Sequence, residues 1–221
     1  MKVRRFLARQ LANPSGLAGR LVGQMMKIAN QEPTRLAIEA LDVQPGNRVL
    51  DLGCGPGQAA EQLRSLTSPG QVIGIDQSST MIRQAQRSNW RHVLAGEMEF
   101  HVAQFDALPF EDGSFDCVLA SNVMYFWKDT GAALAEIRRI LRPGGRLSVY
   151  VTSAESMSGW GFAEAGTHRL FLPHEVAEAL TSAGFDAADI ALRTPPVGRG
   201  VTGIVATARY AVSDTGILQA A

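Results

Sequence analysis

The sequence has only two cysteines in 221 residues, Cys54 and Cys117, and they are far apart. A disulfide framework and a metal knuckle are therefore not expected, because both need several ligating side chains at short, regular spacing. There is no uncharged apolar run near the ~18 residues that a membrane span requires. Basic residues open the chain, but no long apolar core or small-residue cleavage site follows them, so no secretory signal is expected. Net charge is also missing: 21 Lys and Arg balance 21 Asp and Glu, which argues against a general nucleic-acid binder. Repeats and low-complexity tracts are absent. What remains, with 46% hydrophobic and 19% charged residues, is the composition of an ordinary globular chain of about one domain. A cytoplasmic protein is the expectation.

The charge balance hides an asymmetry. Residues 1–31 contain Lys2, Arg4, Arg5, Arg9, Arg20 and Lys27 and no acid, leaving 15 basic against 21 acidic residues in the rest. A basic leader on an acidic body is suited to docking on that body as a helical lid, to lying on an anionic membrane surface, or to plain solvation. The Asn13-Pro14-Ser15-Gly16 break divides it into two short helices. The organisation is then a lid over 1–31 and a main domain over 32–221.

Beyond the leader, Pro33 suits a first helical position, and Leu36, Ala37, Ala40 and Leu41 recur on one face. Strands and helices then alternate. Strands are predicted at 48–52, 71–76, 99–103, 115–120, 146–152, near 186–193 and near 202–209. Helices are predicted at about 58–67, from a Ser78 cap to Arg87, at about 130–141 and at about 173–183. Alternation of this kind builds a parallel sheet with helices on both faces. The last two strands are joined by a short turn with no helix, so they pair antiparallel. The fold class is α/β, a doubly wound, seven-stranded, mostly parallel sheet.

Ligands of such sheets bind at the carboxyl ends of the strands where the winding reverses. The first loop there is Asp51-Leu52-Gly53-Cys54-Gly55-Pro56-Gly57. A dinucleotide fingerprint would place its third glycine at 58, where this chain has Gln58. Asp51, two residues before Gly53, is awkward beside a pyrophosphate and suits a positively charged ligand. Asp76 ends the second strand 19 residues after Gly57, where a carboxylate can accept from both hydroxyls of a ribose. The loop alone also reads as a plain tight turn. The two strand ends together point to adenosine.

Val49 to Gly57 resembles the first motif of class I S-adenosylmethionine-dependent methyltransferases. Val72-Ile73-Gly74-Ile75-Asp76 is similar to their second. Leu108-Pro109-Phe110…Ser114-Phe115-Asp116 and Leu141-Arg142-Pro143-Gly144-Gly145 resemble the approach to their fourth strand and the turn into their fifth. The resemblance covers about residues 33–210 and implies a Rossmann-like methyltransferase fold with S-adenosylmethionine as cofactor. It implies that Gly53, Cys54 and Gly55 line the methionine part of the cofactor, with Asp51 and Gly57 as further cofactor-binding residues of that loop and Cys54 a small filler. Asp76 would hold the ribose and Gln77 the adenine edge, with Ser121 and Asn122 beneath the sulfonium. Gln104 stands where the family commonly has an acid for the adenine amine. An amide oxygen can still accept there, and the Phe105 N–H can still donate; the other reading of Gln104 is an exposed loop amide.

For the acceptor, the aromatic run after the fourth strand offers Met124, Tyr125 and Trp127 as pocket walls, with core packing as the other reading. Trp160 and Phe162, in a glycine-flanked loop, would close the pocket opposite the leader. No compact base constellation stands out; Tyr125 and His168 are the candidates for touching the acceptor. The implied reaction is in-line methyl transfer to a small molecule. A phospholipid or membrane-associated acceptor, a nucleotide-dependent oxidoreductase and a non-catalytic binding module are the alternatives.

Overall fold

In the computed structural model, residues 30–158, 169–198 and 200–211 are described. The lid over 1–31 (apart from its last two residues), Trp160, Phe162 and His168 lie outside them. Seven strands form one sheet: β1 Arg48–Leu52, β2 Gln71–Asp76, β3 Met98–Val102, β4 Phe115–Ser121, β5 Leu141–Thr152, β6 Ile190–Arg193 and β7 Gly203–Arg209. Their order is β3-β2-β1-β4-β5-β7-β6. The first five run parallel, and β7 lies antiparallel between β5 and β6. The doubly wound sheet and the antiparallel close are as the sequence predicts.

The helices are α1 Gln31–Leu41, α2 Gln58–Thr67, α3 Ser79–Ser88, α4 Trp90–Leu94, α5 Thr130–Ile140, α6 Ala154–Met157 and α7 Pro173–Ser182. Strand residues alternate between two cores, as period-two geometry requires. Leu50, Ile73, Val118 and Leu147 face α5 and α7. Val49, Val72, Cys117 and Tyr150 face α1, α2 and α3. Winding reverses between β1 and β4, which opens a crevice at their carboxyl ends.

Most boundaries follow local signals. Ser78 caps α3, its hydroxyl accepting from Met81 N, and Asp129 caps α5 by accepting from Ala132 N at 2.9 Å. Four differences have physical causes. The chain enters β5 at Leu141, which pairs with Phe115; Arg142 to Gly145 then loop out before pairing resumes at Cys117–Arg146. The predicted turn is thus an excursion within a strand. β6 is shorter than predicted because Asp186 caps a 3-10 turn over Ala187–Asp189. On α1 the buried stripe is Pro33, Ala37, Ile38 and Leu41, with Leu36 and Ala40 at its margins, and Pro33 is the third helical residue, within the first turn. The short α4 has no apolar face to announce it: Trp90 and Leu94 are exposed.

Two contacts seat α1 on the sheet. The Ser148 hydroxyl donates to Ala37 O at 2.8 Å inside the core, and the Thr34 and Ser121 hydroxyls lie 3.3 Å apart. Across β5, the Tyr150 ring occupies the space a side chain at residue 203 would need: a Cβ there would stand 2.4 Å from the ring. Gly203→Ala should therefore cost about 1–3 kcal/mol of stability by overpacking. Urea unfolding measures it, and an unaltered midpoint would mean the ring has room to move aside.

Candidate active site

Backbone hydrogen bonds fold the loop after β1 across the end of β2. Gly53 N and Cys54 N both donate to Ile75 O, at 2.8 and 2.9 Å, and Gly57 N closes a turn on Cys54 O at 3.0 Å. Gly53 adopts φ +77°, and a Cβ on it would stand 2.4 Å from a Val123 methyl, so this side of the loop has no room for any side chain. At Gly55 the opposite holds: nothing lies within 4 Å of where a Cβ would be, and the backbone faces open space. Asn89, at the end of α3, braces the loop from behind, its side-chain amide donating to Gly57 O at 3.3 Å and Ala85 O at 3.0 Å. Sequence reading passed over Asn89; nothing in its neighbourhood signals a partner 32 residues away.

Two carboxylates lie beneath and beside this loop. Asp76 accepts from Gly55 N at 3.0 Å and Ser78 N at 2.7 Å, so one side chain ties the glycine loop to the start of α3. Burial holds its pKa above the usual carboxylate range, against the smaller opposing pull of those two N–H donors. Asp51 is almost completely buried, and its Oδ2 has no hydrogen-bond partner. Burial first, then the nearby charge of Asp76, pushes its pKa up to about 7, against a smaller opposing contribution from the Ala60 N–H. The Cys54 thiol is driven up by the same burial and the same two acids, so it stays protonated and fills space.

The adenine-edge candidates also converge. Gln77, Gln104 and Phe105 line a small surface cleft with Asp106, Trp127, Lys128, Asp129 and Ala133. Phe105 is buried and anchors its loop, while Gln104 is exposed at the rim. Asp106 carries an acid into the same cleft, two residues after the position where the resemblance places one. Lys128, Asp129 and Ala133 were not foreseen; the capping position of Asp129 was the available signal.

The aromatic segment after β4 divides differently from the expectation. A 3-10 turn over Met124–Phe126 rolls Met124 and Tyr125 into the core. Met124 is fully buried, so it packs the fold and does not wall a pocket. The Tyr125 hydroxyl is hydrogen-bonded to Thr152 N and lies 3.5 Å from Asn122 Oδ1, and burial raises its pKa; it is thereby directed at β5 and keeps its proton. Trp127, read as an acceptor wall, lies in the cleft with Gln77 and Gln104. Ser121 and Asn122 end β4 across the crevice from the glycine loop, with Asn122 at φ +57° and its N–H bonded to Tyr150 O at 2.9 Å. Of the histidines, His92 and His101 pair with Glu97 and Glu99, near β3.

A glycine loop at the reversal of a parallel sheet, flanked by the buried Asp51 and the half-buried Asp76, belongs to an α/β protein whose crevice suits a nucleoside bearing positive charge. Residues 50–149 match the family described as Methyltransferase domain. The O-methyltransferase resE of Aspergillus sclerotiorum is 33% identical over 168 residues, 73% of this chain and 63% of that protein. The ubiquinone/menaquinone biosynthesis C-methyltransferase UbiE of Hahella chejuensis is 36% identical over 116 residues, 52% and 47% of the two chains. Among solved structures, a Haloferax volcanii methyltransferase complex with the Trm112 activator has a matching chain with TM-score 0.75 at 24% identity, covering 88% of this chain and 95% of that one. This chain carries the domain of the class I S-adenosylmethionine-dependent methyltransferases, and S-adenosylmethionine is the cofactor of that domain. It spans between about half and just under two thirds of the length of these curated relatives. Among the described residues, no helix is long and apolar enough to cross a membrane, and no cluster of His, Cys, Asp and Glu could hold a metal ion.

The raised pKa of Asp51 has a sign that can be checked. An unfolded Asp titrates near 3.9. With a higher value in the folded state, its contribution to stability is complete below pH ~4 and is lost as the pH climbs towards about 7. Between pH 5.5 and 8 the ligand-free protein should lose about 2 kcal/mol through this one group. Asp51→Asn should remove that part of the slope, leaving the variant the more stable protein at pH 8. Urea unfolding of both proteins at the two pH values measures this; parallel slopes would show that Asp51 is not the titrating group.

Proposed function

We propose that this chain transfers a methyl group from S-adenosylmethionine to a small-molecule acceptor, in the crevice between the glycine loop and the end of β4. The observation that carries the reading is the buried Asp51 carboxyl with one oxygen unpartnered, beside Asp76 and under a loop whose Gly55 faces open space. Two acids in such a place are costly for an empty protein and attract a ligand bearing an ammonium and a sulfonium. A dinucleotide is disfavoured on the same ground, since its pyrophosphate would lie against both charges.

The residues fit the group chemically. Gly53, Cys54, Gly55 and Gly57 offer backbone without side-chain obstruction, and Asp51 supplies negative charge to the methionine end. Asp76 uses two of its lone pairs on Gly55 and Ser78 and retains others for the ribose hydroxyls. Gln77, Gln104 and the Phe105 N–H receive the adenine, with Asp106 a further acceptor at the rim and Trp127 the aromatic surface of that end. When bound, S-adenosylmethionine supplies an electrophilic methyl carbon with a neutral thioether as leaving group.

The chain's own contribution is alignment and exclusion of water. Ser121 and Asn122 close the crevice on the β4 side, and Val123 packs against Gly53. Tyr125, its pKa raised and its hydroxyl engaged with Thr152 N, holds that wall in place and does not take a proton from the acceptor. The acceptor enters from the side of α1, where Thr34 reaches Ser121. Relatives named as O- and as C-methyltransferases support a small-molecule acceptor.

Calorimetric titration with S-adenosylhomocysteine tests the site. Asp76→Ala should weaken binding at least tenfold, about 1.4 kcal/mol or more, while the protein stays folded. Unchanged affinity would remove Asp76 from the site. Gln104→Asp should tighten binding or leave it unaltered, because a charged acceptor replaces a neutral one; a marked loss would mean that residue 104 does not face the adenine. Incubating candidate acceptors with S-adenosylmethionine and reading a 14 Da mass gain tests the transfer itself.

A further inference from the structure

The connection from β3 to β4 carries Gln104, Phe105 and Asp106 into the cleft, yet it has almost no regular structure of its own. One isolated bridge, Gln104 to Ala107, a tight bond from Phe110 N to Leu108 O and the Ser114 hydroxyl donating to Glu111 O at 2.7 Å are its internal supports. Buried or half-buried backbone groups in such a segment need partners from elsewhere. They find them on α5. Glu136 and Arg139, three residues apart, project from one side of that helix, while Ala133, Leu134, Ile137 and Ile140 bury the other.

Arg139 gives every one of its N–H donors to an acceptor. Nε donates to Glu136 Oε1 at 2.7 Å. One terminal nitrogen donates to Phe110 O at 2.8 Å and Asp112 Oδ1 at 2.7 Å. The other donates to Leu108 O at 3.1 Å and Glu136 Oε2 at 2.8 Å. Glu136 Oε2 also accepts from Leu108 N at 2.8 Å, and the backbone of Arg139 receives Gly113 N at 3.0 Å. Both backbone groups of Leu108 are thus held by one ion pair. The Arg139 contact keeps Glu136 below the usual carboxylate range, so the pair stays charged at neutral pH. A lysine could not replace the fork, having three donors and no planar geometry.

From this geometry we infer that Glu136 and Arg139 are positioning residues for the adenine end of the cofactor site, setting the register of residues 104–107 through the Leu108 backbone. The inference rests on the proposed cofactor reading of the cleft. The same helix is capped by Asp129 and carries Ala133, and both line that cleft. One helix therefore lines the cleft directly and, through the ion pair, holds the loop that carries Gln104, Phe105 and Asp106 into it. Neither residue touches the cofactor; they act by holding the backbone that does.

The test compares two ligands, S-adenosylhomocysteine and its deaminated analogue S-inosylhomocysteine, by calorimetry on the full chain. The wild-type protein should prefer the adenine compound at least tenfold. Arg139→Lys should lose at least tenfold in affinity for it and shrink that preference threefold or more. Glu136→Gln keeps an acceptor for the arginine Nε and should shrink it about threefold, which keeps the test alive where the arginine variant does not fold. Hydrogen exchange should quicken over residues 104–112 and not across β1 or β2. A folded variant with undiminished preference overturns the clamp, as does a loss of affinity with preference intact and exchange quickened throughout, the mark of a merely structural ion pair. A wild-type protein that binds neither compound overturns the cofactor reading first, and the clamp with it.

Discussion

The structure depends on placing two carboxylates, Asp51 buried and Asp76 half-buried, at the point where the sheet reverses its winding. Burial and the charge of Asp76 raise the cost of ionising Asp51, and only Asp76 has backbone donors on both oxygens. A folded chain tolerates this because the surrounding core is large and because the loop above them is tied to Ile75 and braced by Asn89. The strain has a direction. Any cation that enters the crevice relieves it, so the ligand-free protein is built to be stabilised by what it binds.

Around that charge the fold supplies two kinds of wall. On one side, glycine backbone and the end of β4 approach so closely that Val123 stands where a Gly53 side chain would be. On the other, an irregular loop brings amide, aromatic and acidic side chains to one rim. The first wall is held by sheet hydrogen bonds. The second has no ladder to rely on, and the fully used guanidinium of Arg139 does that work from α5.

The acceptor side is shaped by packing. Three consecutive large side chains, Met124, Tyr125 and Phe126, follow β4, and a sequence of that kind is equally suited to a pocket wall or a core. The 3-10 turn rolls Met124 and Tyr125 inward, and Trp127 is as buried as Tyr125 while also lining the cleft with Gln77 and Gln104. Tyr125 is left bonded to the strand beside it, and the polar residues nearest the crevice are Ser121 and Asn122, joined to α1 through Thr34.

The strands around the switch point, the glycine loop, the Ser78 cap and the strand-end acid Asp76 were all legible in the chain, because each is written in residues within one or two turns of each other. Apolar runs, glycine at a required turn and a hydroxyl before a helix act locally, and local physics survives without knowledge of the fold. Tertiary structure decided what depends on distant partners: Asn89 beneath Gly57, Arg139 on the carbonyls of Leu108 and Phe110, the inward turn of Met124, and the looped-out entry to β5. Those contacts join segments about thirty residues apart, and no periodicity records which buried backbone group an arginine or an amide will meet once the helices have docked.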